Sequence, residues 1–244
     1  MQKGFFLIPV LVIFNVVVFA QKQLKPLLQL ELKGTVKMMS ERTFHAQNNF
    51  GKPIKGDRAN ENSDYTFNQS GNFVDQNIYN QNGSLKVRHS YRYNSDGKLT
   101  EQNLYNLGGA LKSKFKYKYN RFGNLEEQNL LKADGNLIST YKYDYNQQQK
   151  QIAFNWFNSD NLLDEKTIYV YNENGYQSEW RTMNADGSIL LKNTFQYDDK
   201  GNVIEENIYQ ENDSLVKKSI FEYDVNNNLL QLIELGLSEN LSRK

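Results

Sequence analysis

An all-β fold built from tandem β-hairpins is predicted by three features of the sequence. An aromatic-led segment returns at Tyr65, Tyr91, Tyr117, Tyr143, Tyr169, Phe195 and Phe221, each 26 residues after the last. Apolar and polar residues alternate with period two around those aromatics, and turn sequences cut each unit into near halves, as at Ser95-Asp96-Gly97 and Leu107-Gly108-Gly109. An unbroken period means one supersecondary unit copied and stacked. Period-two alternation punctuated by Asn, Asp and Gly means hairpins rather than helices, with Asp-Gly and Asn-Gly expected to supply positive φ at tight turns. Seven units therefore predict a twisted antiparallel sheet that coils or partly closes. Fourteen flat strands at ~4.8 Å spacing would be ~65 Å wide, and sheets that large curl or split.

In chain order, residues 1–20 read as a secretory signal peptide. Lys3 precedes an apolar run from Phe5 to Phe19, and the segment ends on the small residues Val18 and Ala20. Pro9 and Asn15 interrupt the run, which is shorter than the ~20 residues of a comfortable bilayer span. Cleavage between Ala20 and Gln21 is expected, with export to the periplasm, the cell surface or the medium, and no stable membrane span afterwards. Residues 21–64 fall outside the period. Their alternating stretches, Leu28 to Leu32, Thr35 to Met38 and Arg42 to Phe44, predict cap strands for the end of the array, and the polar run Asn48 to Asp64 predicts a loop. The repeat domain covers 65–235, and residues 236–244 form a charged tail.

Alternation also assigns faces. It places Tyr91, Tyr93, Tyr117 and Tyr119 on one side, and Lys114, Lys116, Lys118, Arg88 and Arg92 on the other. Extended through the second strand of each unit, the same rule puts Glu101, Asn103, Glu127 and Asn129 on the tyrosine side. Carboxylates and amides beside a tyrosine-rich core require hydrogen-bond partners, so an internal polar ladder is expected. Trp156 and Trp180 fall opposite the tyrosines, where exposed rings would be platforms for a sugar or a partner protein. A β-bulge near the second turn would instead rotate Trp156 inward.

The unit Tyr-x-Tyr-Asn/Asp-x-x-Gly-Asn-Leu-x-Glu, clearest from Tyr117 to Glu127, resembles the tyrosine/aspartate repeat of the Rhs and teneurin families over about residues 65 to 235. That resemblance implies successive β-hairpins coiling into a sheet, and a short exported member of a family whose small relatives are described as repeat or sugar-binding proteins. The chain departs from the family in lacking a recognisable toxin domain and a self-cleaving core region, and in a period longer than the usual unit.

Several chemistries lack residues to carry them. There is no cysteine and there are two histidines, so thiolate sites and a histidine-rich zinc site are not expected. Twenty-nine basic residues against 28 acidic ones leave a formal charge of +1, which gives no field to recruit nucleic acid. No metal and no cofactor are expected; Asp198 and Asp199 with Asn202 read as turn residues before a calcium site. Acids repeated in every unit belong to the unit rather than to an active site. The fourth unit is the exception: Gln147 to Lys150 replaces its first-turn glycine, Ala153 replaces its column acid, and Asp160, Asp164 and Glu165 cluster nearby. A glycan-acting hydrolase would draw on those acids. The leading expectation is a non-catalytic exported module that binds or scaffolds a protein or glycan at the cell envelope, with a carbohydrate-binding module as the alternative through Trp156 and Trp180.

Overall fold

The structure, a computed structural model, describes residues 34–59 and 62–236. The signal segment with Ala20 and Gln21, the stretch Leu28 to Leu32 and residues 237–244 lie outside the described residues.

All regular structure described is strand, apart from one 3-10 turn at Glu211–Asp213. The N-terminal segment supplies β1 (Met38–Glu41), β2 (Phe44–Asn49) and β3 (Lys52–Arg58). The first compact unit, Met1–Ile138, continues with β4 (Asn62–Phe67), β5 (Phe73–Tyr79), β6 (Leu85–Tyr93), β7 (Leu99–Tyr105), β8 (Leu111–Tyr119) and β9 (Leu125–Lys132). The second unit, Ser139–Lys244, contains β10 (Leu137–Tyr145), β11 (Gln151–Phe157), β12 (Leu163–Tyr171), β13 (Gln177–Asn184), β14 (Ile189–Tyr197), β15 (Val203–Gln210), β16 (Ser214–Tyr223) and β17 (Leu229–Gly236). In the first unit β1 pairs with β4, β4 to β9 follow side by side in chain order, and β2 and β3 form a separate two-stranded sheet; in the second unit β10 to β17 lie side by side in chain order, and neighbours are antiparallel. Both ends of the order are open among the described residues: β1 pairs with β4 alone, and β17 with β16 alone.

The cap is more structured than its composition predicts. The stretch expected as a loop forms β3 and the start of β4, because Phe50 and Gly51 both take positive φ (49° and 80°) and close a tight hairpin between β2 and β3. Arg42 joins β1 to the array: its guanidinium donates to the Ser63 carbonyl at 2.9 Å and to Asp64 Oδ1 at 2.7 Å.

The turns of the array are five-residue loops. At Asn94 to Lys98, the Asn94 N–H donates to the Lys98 carbonyl at 2.9 Å and the Gly97 N–H to the Asn94 carbonyl at 3.0 Å. The Asn94 side-chain oxygen accepts from the N–H groups of Asp96 (3.1 Å) and Lys98 (2.8 Å), satisfying donors that the loop would leave unpaired. Gly97 supplies the positive φ expected of the Asp-Gly pair, at 77°, and Asp96 does not share it. One left-handed position per loop suffices for a three-residue connection, and Gln149, Asn161 and Asn227 fill it where glycine is missing.

These turns shift the register. Tyr93 lies opposite Leu99 while Arg92 lies opposite Glu101, which leaves Thr100 unmatched; at the next turn Tyr105 faces Leu111 and Leu104 faces Ser113, which leaves Lys112 unmatched. Each is a β-bulge, and it inverts the alternation of the strand that follows. Gln102 thus faces Tyr91, and Gln128 faces Tyr117. Glu101 lies with Arg92, Asn103 with Lys114, Glu127 with Lys118 and Asn129 with Lys116. The acid and asparagine columns therefore occupy the lysine face, not the tyrosine face that strict alternation predicts. Leu125 and Gln128, three residues apart and 1% and 3% exposed, are the buried pair that the bulge brings onto the tyrosine side.

The turn conformation predicts opposite signs for two substitutions. Gly109→Ala, at φ 77° with open space around a Cβ, should cost about 1–2 kcal/mol of unfolding free energy, and Gln149→Gly, at φ 60°, should add about 0.5–1 kcal/mol. Denaturant melts of the two variants check this; a stabilised Gly109→Ala would contradict the turn assignment.

Candidate functional site

The two faces differ in chemistry. On the lysine face, each asparagine donates to the glutamate two residues before it: Asn103 to Glu101 at 2.8 Å, Asn129 to Glu127 at 2.7 Å and Asn207 to Glu205 at 2.7 Å. Cations close the row, with Arg88 on Asp75 and Lys218 on Glu205 at 2.7 Å, and Arg92 near Glu101 at 3.8 Å. The expected polar ladder exists, on the side where basic residues complete it. Unit four keeps the bond despite Ala153, because Asn155 donates instead to Asp144 at 3.0 Å.

On the tyrosine face, the leading hydroxyls reach the glutamine column: Tyr91 to Gln76 at 3.2 Å and Tyr117 to Gln102 at 3.1 Å. The following tyrosines reach back to the backbone, Tyr119 to the Leu99 carbonyl at 2.8 Å, Tyr171 to Gln151 at 2.8 Å and Tyr197 to Gln177 at 2.7 Å. Lys98 and Lys150 lie over the Tyr119 and Tyr171 rings and donate to the carbonyls of Gly123 and Gly175 in the next unit's turn. The phenols of this face are thus anchored at their polar ends; Tyr117 and Tyr143 are buried, and rings such as Tyr91, Tyr93 and Tyr119 stay half-buried. A cleft of about 570 Å³ opens beside the cap, lined by Thr43, Ser63, Tyr65, Gln76, Ile78 and Val87 among others.

The most distinctive constellation is in the fourth unit. Trp156 pairs with Tyr141 and Trp180 with Tyr169, so both tryptophans lie on the tyrosine face. The expectation that they project from the opposite side fails because the first-turn bulge precedes them. Phe154, Tyr141 and Trp156 form a stack with ring centroids 6.0 and 6.5 Å apart and planes tilted by 14° and 22°. On the next strand Glu165 stands opposite Trp156, followed by Thr167, whose hydroxyl shares a 2.8 Å hydrogen bond with Thr182. Burial, with the neighbouring Asp164 charge, holds the Glu165 carboxyl above its ordinary pKa. The Trp156 indole N–H is sealed from solvent and has no hydrogen-bond partner. An unmet buried donor, a partly buried carboxyl and a flat aromatic stack form a surface able to take a ring-shaped polar ligand.

The other candidates take plainer roles. Asp160 sits in its turn, and Asp164 is the exposed, unmatched bulge residue. Asp198 accepts from Asn202 Nδ2 and from the backbone of Lys200 and Asn202, using its carboxylate on the turn itself. His89 stacks on Tyr91, and burial lowers its pKa. Tyr91, Tyr93, Tyr117 and Tyr119 are structural members of the face. The bulges that set these placements were signalled only by the turn glycines.

A family model described as "Uncharacterised protein" matches residues 55–162 and again 156–243, a tandem match consistent with the internal repeat. No curated protein matches the chain. Among solved structures, the TcdB2-TccC3-TEV crystal structure is similar with a TM-score of 0.56 at 17% identity, over 83% of this chain and 11% of that one. The Photorhabdus luminescens Tc holotoxin pore structure with TccC3-D651A matches with the same four values. At that identity the likeness is one of fold, and this chain spans about a tenth of the length of those chains.

Burial of the phenols predicts the alkaline limit of the fold. It pushes Tyr119 and Tyr169 up to about 12 and the more buried Tyr91, Tyr93 and Tyr117 further still, from an ordinary 10.0. The folded chain therefore holds protons that the unfolded chain loses above pH 10, so this stabilisation is complete below pH 10 and declines through pH 12. Part of the phenolate absorbance should rise only together with loss of the β-sheet circular dichroism signal; every phenol ionising near pH 10 in an intact fold would contradict the burial.

Proposed function

The chain belongs to that family, and we propose that it is an exported, non-catalytic repeat protein whose tyrosine face binds or scaffolds a partner at the cell envelope. The carrying observation is the half-open aromatic face. Contacts run between neighbouring strands, and among the described residues the buried apolar side chains are few: Phe67, Tyr117, Leu125, Tyr143 and Ala153. An array that left its bulky rings half-exposed without use would carry an aggregation liability. The Tyr-x-Tyr-Asn unit makes it a short relative of the Rhs/YD repeat proteins, consistent with the fold likeness. Among the described residues no helix is long and apolar enough to cross a membrane.

A second reading, carbohydrate binding, is favoured by the Phe154–Tyr141–Trp156 stack beside Glu165. Aromatic planes receive the apolar faces of sugar rings, and a carboxyl beside them accepts hydrogen bonds from the ring hydroxyls. One experiment separates the readings: the exported chain is offered a glycan panel and an envelope extract. Recovery of a specific protein with no glycan signal supports scaffolding. A saturable glycan lost in Trp156→Ala supports the second reading. Glycan cleavage abolished by Glu165→Gln would overturn the non-catalytic proposal.

A further inference from the structure

We infer that β17 is a self-association edge, on which a second copy of this chain lays its own β17 antiparallel about a two-fold axis. The strand is open on one side, since its described partner is β16 alone. An open end of a stacked array ordinarily carries a polar outer strand, with lysines, prolines or inward charges that discourage pairing. β17 has the reverse composition. Leu229, Leu230, Leu232 and Leu235 are 52%, 68%, 46% and 46% exposed. At 26-residue spacing, Leu232 stands where Gln102 and Gln128 do, Ile233 where Asn103, Asn129 and Asn207 do, and Gln231 where Glu101, Glu127 and Glu205 do. Both faces of the outermost strand have thus lost the polar columns of the inner ones.

The occupant is identified by length and charge. The other open strand, β1, has four residues against the eight of β17, and its Ser40 and the following Arg42 are committed to Asp64. Head-to-tail stacking would leave half of β17 unpaired. Pairing with a second β17 matches the length fully, and a two-fold contact closes at two chains instead of growing into a filament. The strand's one charge, Glu234, already pairs with Lys217 of β16. In an antiparallel pair centred on Leu232 or Ile233, Glu234 meets Leu230 or Leu232 and never its own copy, so no like charges oppose. The resulting contact buries leucines on both faces while pairing the free N–H and C=O groups of two edges.

Sedimentation velocity of the purified exported chain tests this, beside Leu230→Lys. Leu230 is the unmatched bulge residue of β17, opposite no residue of β16, so its replacement leaves the fold's own pairing intact. The chain should sediment at twice its mass and dissociate on dilution, and Leu230→Lys should sediment at once its mass with an unchanged circular dichroism spectrum. Leu235→Lys provides a second, independent disruption and should behave alike. A chain that stays monomeric at every concentration overturns the inference, as does a dimer that survives both substitutions. A monomer that dimerises only after residues 237–244 are removed would also overturn it, by showing that the chain's own tail covers the edge.

Discussion

The left-handed residue in each five-residue turn is the constraint from which the rest follows. It lets the chain reverse in three residues, but at the cost of an extra residue in the strand that leaves the turn. Thr100, Lys112 and Glu126 are those extra residues, and each inverts the pleat behind it. An asparagine or aspartate at the head of many of these turns stabilises the arrangement by accepting the loop's orphan N–H groups. Register, face and the position of every polar column depend on this one local geometry.

Two faces of unlike chemistry result. The side with Glu101, Asn103 and Lys116 is a polar network, its Asn103 buried and its Arg92 exposed, in which amides order carboxylates and cations neutralise them, a modest stabilisation because the ion pairs are partly exposed. The side with Tyr91, Gln102 and Tyr117 is amphipathic in a different way. Its phenols spend their hydroxyls on glutamine or on backbone carbonyls, so the rings lie down over the sheet and pack without a second layer. Lys98 and Lys150 strengthen the same arrangement by linking successive turns.

The fourth unit shows how a repeat acquires a singular place. Loss of the column acid at Ala153 is absorbed by Asp144, so the ladder survives. The same unit puts Phe154 and Trp156 where the two units before it hold glutamine and leucine, and sets Glu165 across from the indole. Drift that is harmless on one face thereby becomes chemistry on the other. The β17 edge is a parallel case: substitutions at the repeat's polar positions convert an inner-strand pattern into an apolar border.

Period, strand content, turn positions and the column membership of Tyr91, Tyr117, Glu101 and Asn103 were all legible in the sequence, because periodicity and turn chemistry are local properties of the chain. The hairpin β2–β3 was not, since a polar segment pairs through its backbone without showing an apolar pattern. Nor were the faces of Glu101, Asn103, Trp156 and Trp180, for a bulge costs one residue and leaves no composition mark, yet reverses every side chain beyond it. The pairing of Glu165 with Trp156 depends on two such reversals on adjacent strands. Only the folded register, in which hydrogen bonding decides which residue stands opposite which, could place that residue across from Trp156.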